Sequence, residues 1–253
     1  SITGGRFGRG VFVLCLTCFA SVLSASAAPA PRYYHPLAEE AVRLLKGYIK
    51  INTPNPPGNE EAAALYLKGI LEAEGIPCEL YVSTPGRANL VARLKATTAT
   101  PEPALLLTHH MDVVTANPAE WKVPPFEGVE KDGYLWGRGA LDSKLTGVLD
   151  VMAMLLLKRE NLPLKRDVLL LATADEETGG QWGARWMVEN HWKDLRPGFV
   201  IDEGGFGFRQ VFSYTDSVVY ACAVDEKKVF GLSVTAHGKS GLTDRVRAST
   251  LTE

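Results

Sequence analysis

The chain has 253 residues, 46% of them hydrophobic and 22% charged, with a formal net charge of −2. That balance excludes a chain disordered throughout, and the absence of a basic excess argues against a nucleic-acid partner. The length allows one large domain or two smaller ones.

In chain order, Arg6 and Arg9 precede an apolar run over 11–23, and Ala25, Ser26, Ala27 and Ala28 lead into Pro29. A basic start, a short apolar core and a small-residue site have the pattern of a secretory signal peptide over 1–27. A secreted or periplasmic protein is therefore expected, with no stable membrane span after cleavage, since the run is too short to cross a bilayer comfortably. Residues 28–36 read as a linker. Ala41, Leu44, Leu45 and Tyr48 recur at helical spacing and predict a helix over 37–50. Pro54, Pro56 and Pro57 force a loop, after which 60–74 reads as a second helix stopped by Gly75 and Pro77. Strands are predicted at 89–94, 104–108, 167–173 and 198–201, and helices at 144–158 and 181–192. Runs such as Val168-Leu169-Leu170-Leu171-Ala172, apolar on both faces, suit a sheet covered by helices on both sides. The fold class is thus α/β with a mostly parallel sheet, in which ligands gather beyond the carboxyl ends of strands. Cys78 and Cys222 remain after removal of 1–27; export permits a disulfide between them, but they lack metal-site spacing.

The chemistry-bearing residues stand at those strand ends. His110 and Asp112, two apart in extended backbone, face the same way, whereas His109 points elsewhere. An Asp beside a metal-binding imidazole would fix its orientation. Asp142 follows Gly137 and Gly139 and stands just before a helix, where it is either an N-cap or a carboxylate able to bridge two metal ions. The strand over 167–173 runs into Asp175, Glu176 and Glu177, acids that are costly there unless solvated, paired or metal-bound. One Glu can ligate a metal while its neighbour moves a proton. The last strand ends in Asp202 and Glu203. On this reading four apolar strands end in His/Asp, Asp, Glu/Glu and Asp/Glu. Oxygen-rich ligation with few histidines suits a hydrolytic two-metal centre and not a structural zinc site.

These residues resemble the co-catalytic zinc hydrolases that include aminoacylase, carboxypeptidase S, glutamate carboxypeptidase, acetylornithine deacetylase and succinyl-diaminopimelate desuccinylase. The resemblance runs over about 37–241 and rests on His110-Met111-Asp112, Trp121 with Pro124-Pro125-Phe126, Gly137-Arg138-Gly139-Ala140 followed by Asp142 and Lys144, Asp175-Glu176-Glu177, and Asp202-Glu203-Gly204. The Trp and Pro-Pro-Phe features look most like the aminoacylase and carboxypeptidase S branch. It implies a zinc-exopeptidase-like catalytic domain over 37–225 and an inserted α+β lid, used for dimerisation in the family, that opens over 226–241. It further implies two Zn2+, with Co2+ or Mn2+ accepting similar ligands, held by His110, Asp142, Glu177 and Asp202. Adjacent Glu203 is the alternative to Asp202. Glu176 would be the general base and Asp112 the orienter of His110. The implied substrate is a small peptide or N-acyl amino acid, and a homodimer is compatible with the full-length form. After Gly238-Lys239-Ser240-Gly241 the residues 242–253 depart from the family pattern, no returning segment with a last zinc-binding His is present, and His237 is a poor substitute. The sequence accordingly reads as a fragment of such an enzyme, expected to be nearly inactive alone; the competing reading is a non-catalytic remnant with weak or no metal binding.

Overall fold

The computed structural model describes residues 36–204, 206–209 and 218–221. The signal segment 1–27, the linker up to residue 35, Cys222, the lid opening 226–241 with His237, and the tail 242–253 lie outside the described residues. The chain divides after Glu203 into two compact units. In the second unit β8 (Phe206–Phe208) and β9 (Val219–Ala221) form an antiparallel pair.

The first unit begins with α1 (Pro36–Lys50) and α2 (Glu60–Ala73), followed by β1 (Cys78–Thr84), β2 (Arg87–Leu94) and β3 (Glu102–His110). A short hairpin, β4 (Val129–Lys131) with β5 (Tyr134–Trp136), precedes α3 (Lys144–Arg159). Then come β6 (Arg166–Thr173), α4 (Ala184–Leu195) and β7 (Pro197–Ile201). Five strands make one sheet in the order β1-β2-β6-β3-β7. β3 is parallel to both β6 and β7, while β2 runs against both β1 and β6, so all strands but β2 point one way. The mostly parallel sheet expected from the apolar runs is present.

Strand alternation sorts the apolar residues into two cores. Ala88, Leu90, Leu107, Leu170 and Ala172 face α1, α2 and α3, whereas Val91, Leu106, Leu169 and Leu171 face Met187 and Leu195 of α4. Burying each Leu or Met of this kind contributes about 1.5–3 kcal/mol. Helices therefore cover both faces of β2, β3 and β6, whereas Phe199, Val200 and Ile201 of β7 are exposed, and the next residues of β3, β6 and β7 emerge at the carboxyl ends of these strands.

Two expectations need correction. Asp142 does not follow a strand of the main sheet: it stands in the turns between the separate β4–β5 hairpin and α3. Helix α4 starts at Ala184, not at residue 181. Gly183, just before it, packs so tightly on the Ala174 backbone that a Cβ there would lie 1.7 Å from the Ala174 carbonyl oxygen. Among the described residues no helix is long and apolar enough to cross a membrane.

Candidate metal centre

His110 is the last residue of β3 and is 3% exposed. Its Nδ1 lies 2.9 Å from the backbone carbonyl oxygen of Asp112. A carbonyl oxygen can only accept, so Nδ1 carries the proton of that bond. The Nε2 edge then faces carboxylates: Asp142 Oδ1 at 2.9 Å, Glu203 Oε2 at 3.5 Å and Glu176 Oε2 at 3.9 Å. An imidazole lone pair directed at several anions is repulsive unless a proton or a metal cation lies between them. Burial opposes protonation of His110, yet the contact with Asp112 and the charges of Glu203, Asp112 and Asp142 outweigh it and raise the imidazole to about 10.

Asp112, fully buried, organises the surroundings. Its Oδ1 accepts the Glu176 N–H at 3.0 Å, and its Oδ2 accepts the Glu177 N–H at 3.0 Å and the Asn55 side-chain amide at 2.7 Å. Oδ1 also lies 3.5 Å from His110 Nδ1. Burial works against its ionisation, but the bonds from His110, Asn55 and the Glu177 amide prevail and hold it below the usual carboxylate range.

The turn that carries Glu176 and Glu177 follows β6 directly. Asp175 adopts the left-handed region at φ 67°, and a single 3-10 turn spans Glu176–Thr178. Asp175 holds this conformation through Arg87 Nη1 at 2.9 Å, the Trp182 N–H at 3.1 Å and Asn55 at 3.0 Å. Glu177 Oε1 accepts the Val114 N–H at 3.2 Å. Burial first, then the neighbouring negative charges working against His110, push the carboxyls of Glu176 and Glu177 upward. One ligand atom each from His110, Asp142 and Glu177 lie within 4.8 Å of one another. Crowded, mutually repelling oxygens around a single imidazole edge are the donor set a divalent cation requires, so these residues fit a metal ion.

Of the sequence-predicted residues, His110, Asp112, Asp142, Glu176 and Glu177 come together here. Asp202 is exposed, and its Oδ1 accepts the N–H of Glu203 at 2.8 Å. Glu203, in the bend that follows β7, is turned toward His110. His109, as expected, points elsewhere, lying under α3 with Nε2 3.3 Å from the Tyr48 hydroxyl. Sequence reasoning gave no role to Asn55, Arg87, Glu60 or Lys144. Lys144 is buried, donates to the carbonyls of Tyr48 at 3.1 Å and Ile51 at 2.7 Å, and burial pushes its amine down to about 7. Cys78 is a free, half-buried thiol that burial pushes up to about 11.

Comparison with known proteins places this arrangement. The model of peptidase family M20/M25/M40 matches residues 106–249, more than half of the chain, and runs past residue 241 into the segment set apart above. The chain belongs to that family. It is 32% identical over 215 residues to aminoacylase-1 of Sus scrofa, covering 84% of this chain and 51% of that protein. It is 37% identical over 166 residues to a probable succinyl-diaminopimelate desuccinylase of Staphylococcus epidermidis, covering 65% of this chain and 39% of that one. Among solved structures, an M20 family metallo-carboxypeptidase from Sulfolobus solfataricus superposes with a TM-score of 0.57 at 27% identity, covering 65% of this chain and 37% of that chain. Human carnosine dipeptidase 1 shares the fold, with a TM-score of 0.55 at 21% identity over 65% of this chain and 38% of its own. The chain spans about half the length or less of the curated relatives it matches.

Proposed function

We propose that this chain carries the metal centre and general base of a hydrolase that cleaves amide bonds in N-acyl amino acids or small peptides. The observation that carries the reading is the convergence of His110 and Glu177, from the carboxyl ends of parallel β3 and β6, with Asp142 from the turns before α3. His110, Asp142 and Glu177 are the proposed ligands, with Glu203, whose Oε2 lies 3.5 Å from His110 Nε2, as the next and adjacent Asp202 as the alternative. Asp142 would be among the residues that hold two Zn2+, and Co2+ or Mn2+ accept the same donors. Bound divalent ions supply the charge that acidifies water and polarises a substrate carbonyl.

The chain's own residues do the rest. Asp112 holds His110 through Nδ1 and fixes the backbone of Glu176 and Glu177. Glu176 reaches the same edge of His110 at 3.9 Å but is not among the converging ligand atoms, and burial with nearby charge raises its proton affinity. It is therefore suited to take a proton from the attacking water and deliver it to the leaving amine. The amino-terminal pattern over 1–27 supports export, hence a substrate met outside the cytoplasm.

The test is hydrolysis of a panel of N-acyl amino acids and dipeptides with added zinc. In a full-length form of the protein, Glu176→Gln is expected to lower turnover about 10²- to 10⁴-fold while the zinc content stays that of the parent. Undiminished turnover in the variant removes Glu176 from the role, and zinc lost along with turnover makes it a ligand instead.

A further inference from the structure

The loop between α1 and α2 supplies none of the proposed ligands, yet it is built into the centre. Thr53 Oγ1 donates to the Met111 carbonyl at 2.7 Å, the Val113 N–H donates to the Thr53 carbonyl at 3.0 Å, and the Asn55 N–H donates to the Val113 carbonyl at 2.9 Å. The loop thus runs along the segment that follows His110. Gly58 seals it: at φ +83°, with the Arg87 guanidinium carbon 2.5 Å from where a Cβ would stand, no other residue fits without displacement.

Asn55 is the 4%-exposed centre of this lattice. Its Nδ2 lies 2.7 Å from Asp112 Oδ2, 3.0 Å from Asp175 Oδ1 and 3.0 Å from Thr178 Oγ1, while its Oδ1 accepts from Arg87 Nη2 at 2.8 Å. Reversing the amide would set an acceptor against two carboxylates and a donor against a guanidinium, so a single orientation is satisfied. Two carboxylates that would otherwise repel are bridged by one NH2 group. One of them, Asp112, takes both backbone amides of the Glu176–Glu177 turn and contacts His110; the other, Asp175, sets the left-handed entry to that turn.

We propose that Asn55 is a positioning residue of the metal centre, tying Asp112 to Asp175 so that His110 and Glu177 are presented to one ion together. The inference rests on the metal-centre reading above. A partner one shell removed from the ligands typically changes metal affinity about 10- to 100-fold.

The experiment is a Co2+ titration of the chain, reading dissociation constant and visible absorption, alongside metal-free urea unfolding. Asn55→Asp keeps the size and the acceptor for Arg87 but turns an oxygen toward Asp112 and Asp175. It is expected to weaken Co2+ binding about 10- to 100-fold and to alter the absorption envelope at a concentration of urea where parent and variant are both folded. Asn55→Ser, which adds no charge, carries the test if the Asp variant does not fold, with about a tenfold loss expected. Parent-like affinity and spectrum in the folded variant overturn the positioning role. So does an affinity loss explained wholly by a smaller folded fraction without metal. A parent whose Co2+ binding is absent, or is unchanged by His110→Ala, overturns the metal centre itself and the positioning role with it.

Discussion

Glu60 is a fully buried carboxylate with only a share of a counter-charge. Arg87 Nη1 lies 3.0 Å from its Oε1 but also 2.9 Å from Asp175, and Glu60 Oε2 has no hydrogen-bond partner among the described residues. Burial is the largest influence and, against the pull of its own backbone amide and of Arg87, raises its carboxyl from 4.5 to about 7. The sign follows from proton linkage. Between those two values the folded protein keeps a proton that the unfolded chain has released, so the contribution of Glu60 to stability falls as pH rises across that window and levels off above about 7. The shift corresponds to on the order of 3 kcal/mol. Glu60→Gln removes this dependence, so the variant should gain on the parent by up to about that amount between pH 5 and pH 8 in urea unfolding. An equal difference at the two pH values would show that Glu60 is ionised throughout. Asp112 and Asp175, whose shifts run the other way, are present in both proteins and largely cancel in the comparison.

At the scale of elements, β3 and α3 meet through His109 and Gly147. His109 is 1% exposed, hemmed by the Tyr48 hydroxyl at 3.3 Å and Asp150 Oδ2 at 3.7 Å, and a Cβ on Gly147 would stand 2.3 Å from its Nε2. Ala is favoured over Gly inside a helix by about 1 kcal/mol. Here the imidazole has nowhere to retreat, so Gly147→Ala should destabilise by about 1–3 kcal/mol in denaturant unfolding. A stabilised variant would mean that α3 and β3 can separate at little cost. The same packing explains what was legible in the sequence. β2, β3 and β6 are legible because apolar residues occupy both of their faces, β7 from its apolar run Phe199-Val200-Ile201, and α1 to α3 because their apolar stripes recur at helical spacing. β1 was not read as a strand, since it lies at the sheet edge with mixed exposure and carries Glu79, Ser83 and Thr84. The acids and His110 announced themselves by standing at the ends of apolar runs. Asn55 and Arg87 did not, because their partners lie 57 and 88 residues away and no local pattern encodes such pairings. The choice between Asp202 and Glu203 was equally closed to pattern, since β7 ends at Ile201 and alternation beyond it depends on the turn that follows.

Across the whole first unit, the proposed ligands come from parts of the chain that only folding assembles: His110 from the end of β3, Asp142 from the turns before α3, Glu177 from the turn after β6, and Glu203 from beyond β7. An ion held by them binds the folded state and not the separated segments, so metal and stability are linked. Such an ion would also relieve the mutual repulsion that, after burial, raises the carboxyls of Glu176, Glu177 and Glu203. At a free metal concentration a hundredfold above its dissociation constant, the linkage amounts to about 2.7 kcal/mol. For a chain of this size each kcal/mol moves Tm by about 2–4 °C, so added zinc should raise Tm by about 5–10 °C and EDTA should reverse the rise. His110→Ala removes the single imidazole of the set and should erase most of the zinc-dependent rise, whatever it does to the metal-free Tm. A rise of the same size in His110→Ala would mean that the stabilising ion sits elsewhere on the molecule, and a zinc-independent Tm in the parent would mean that the folded state binds zinc no better than the unfolded chain does.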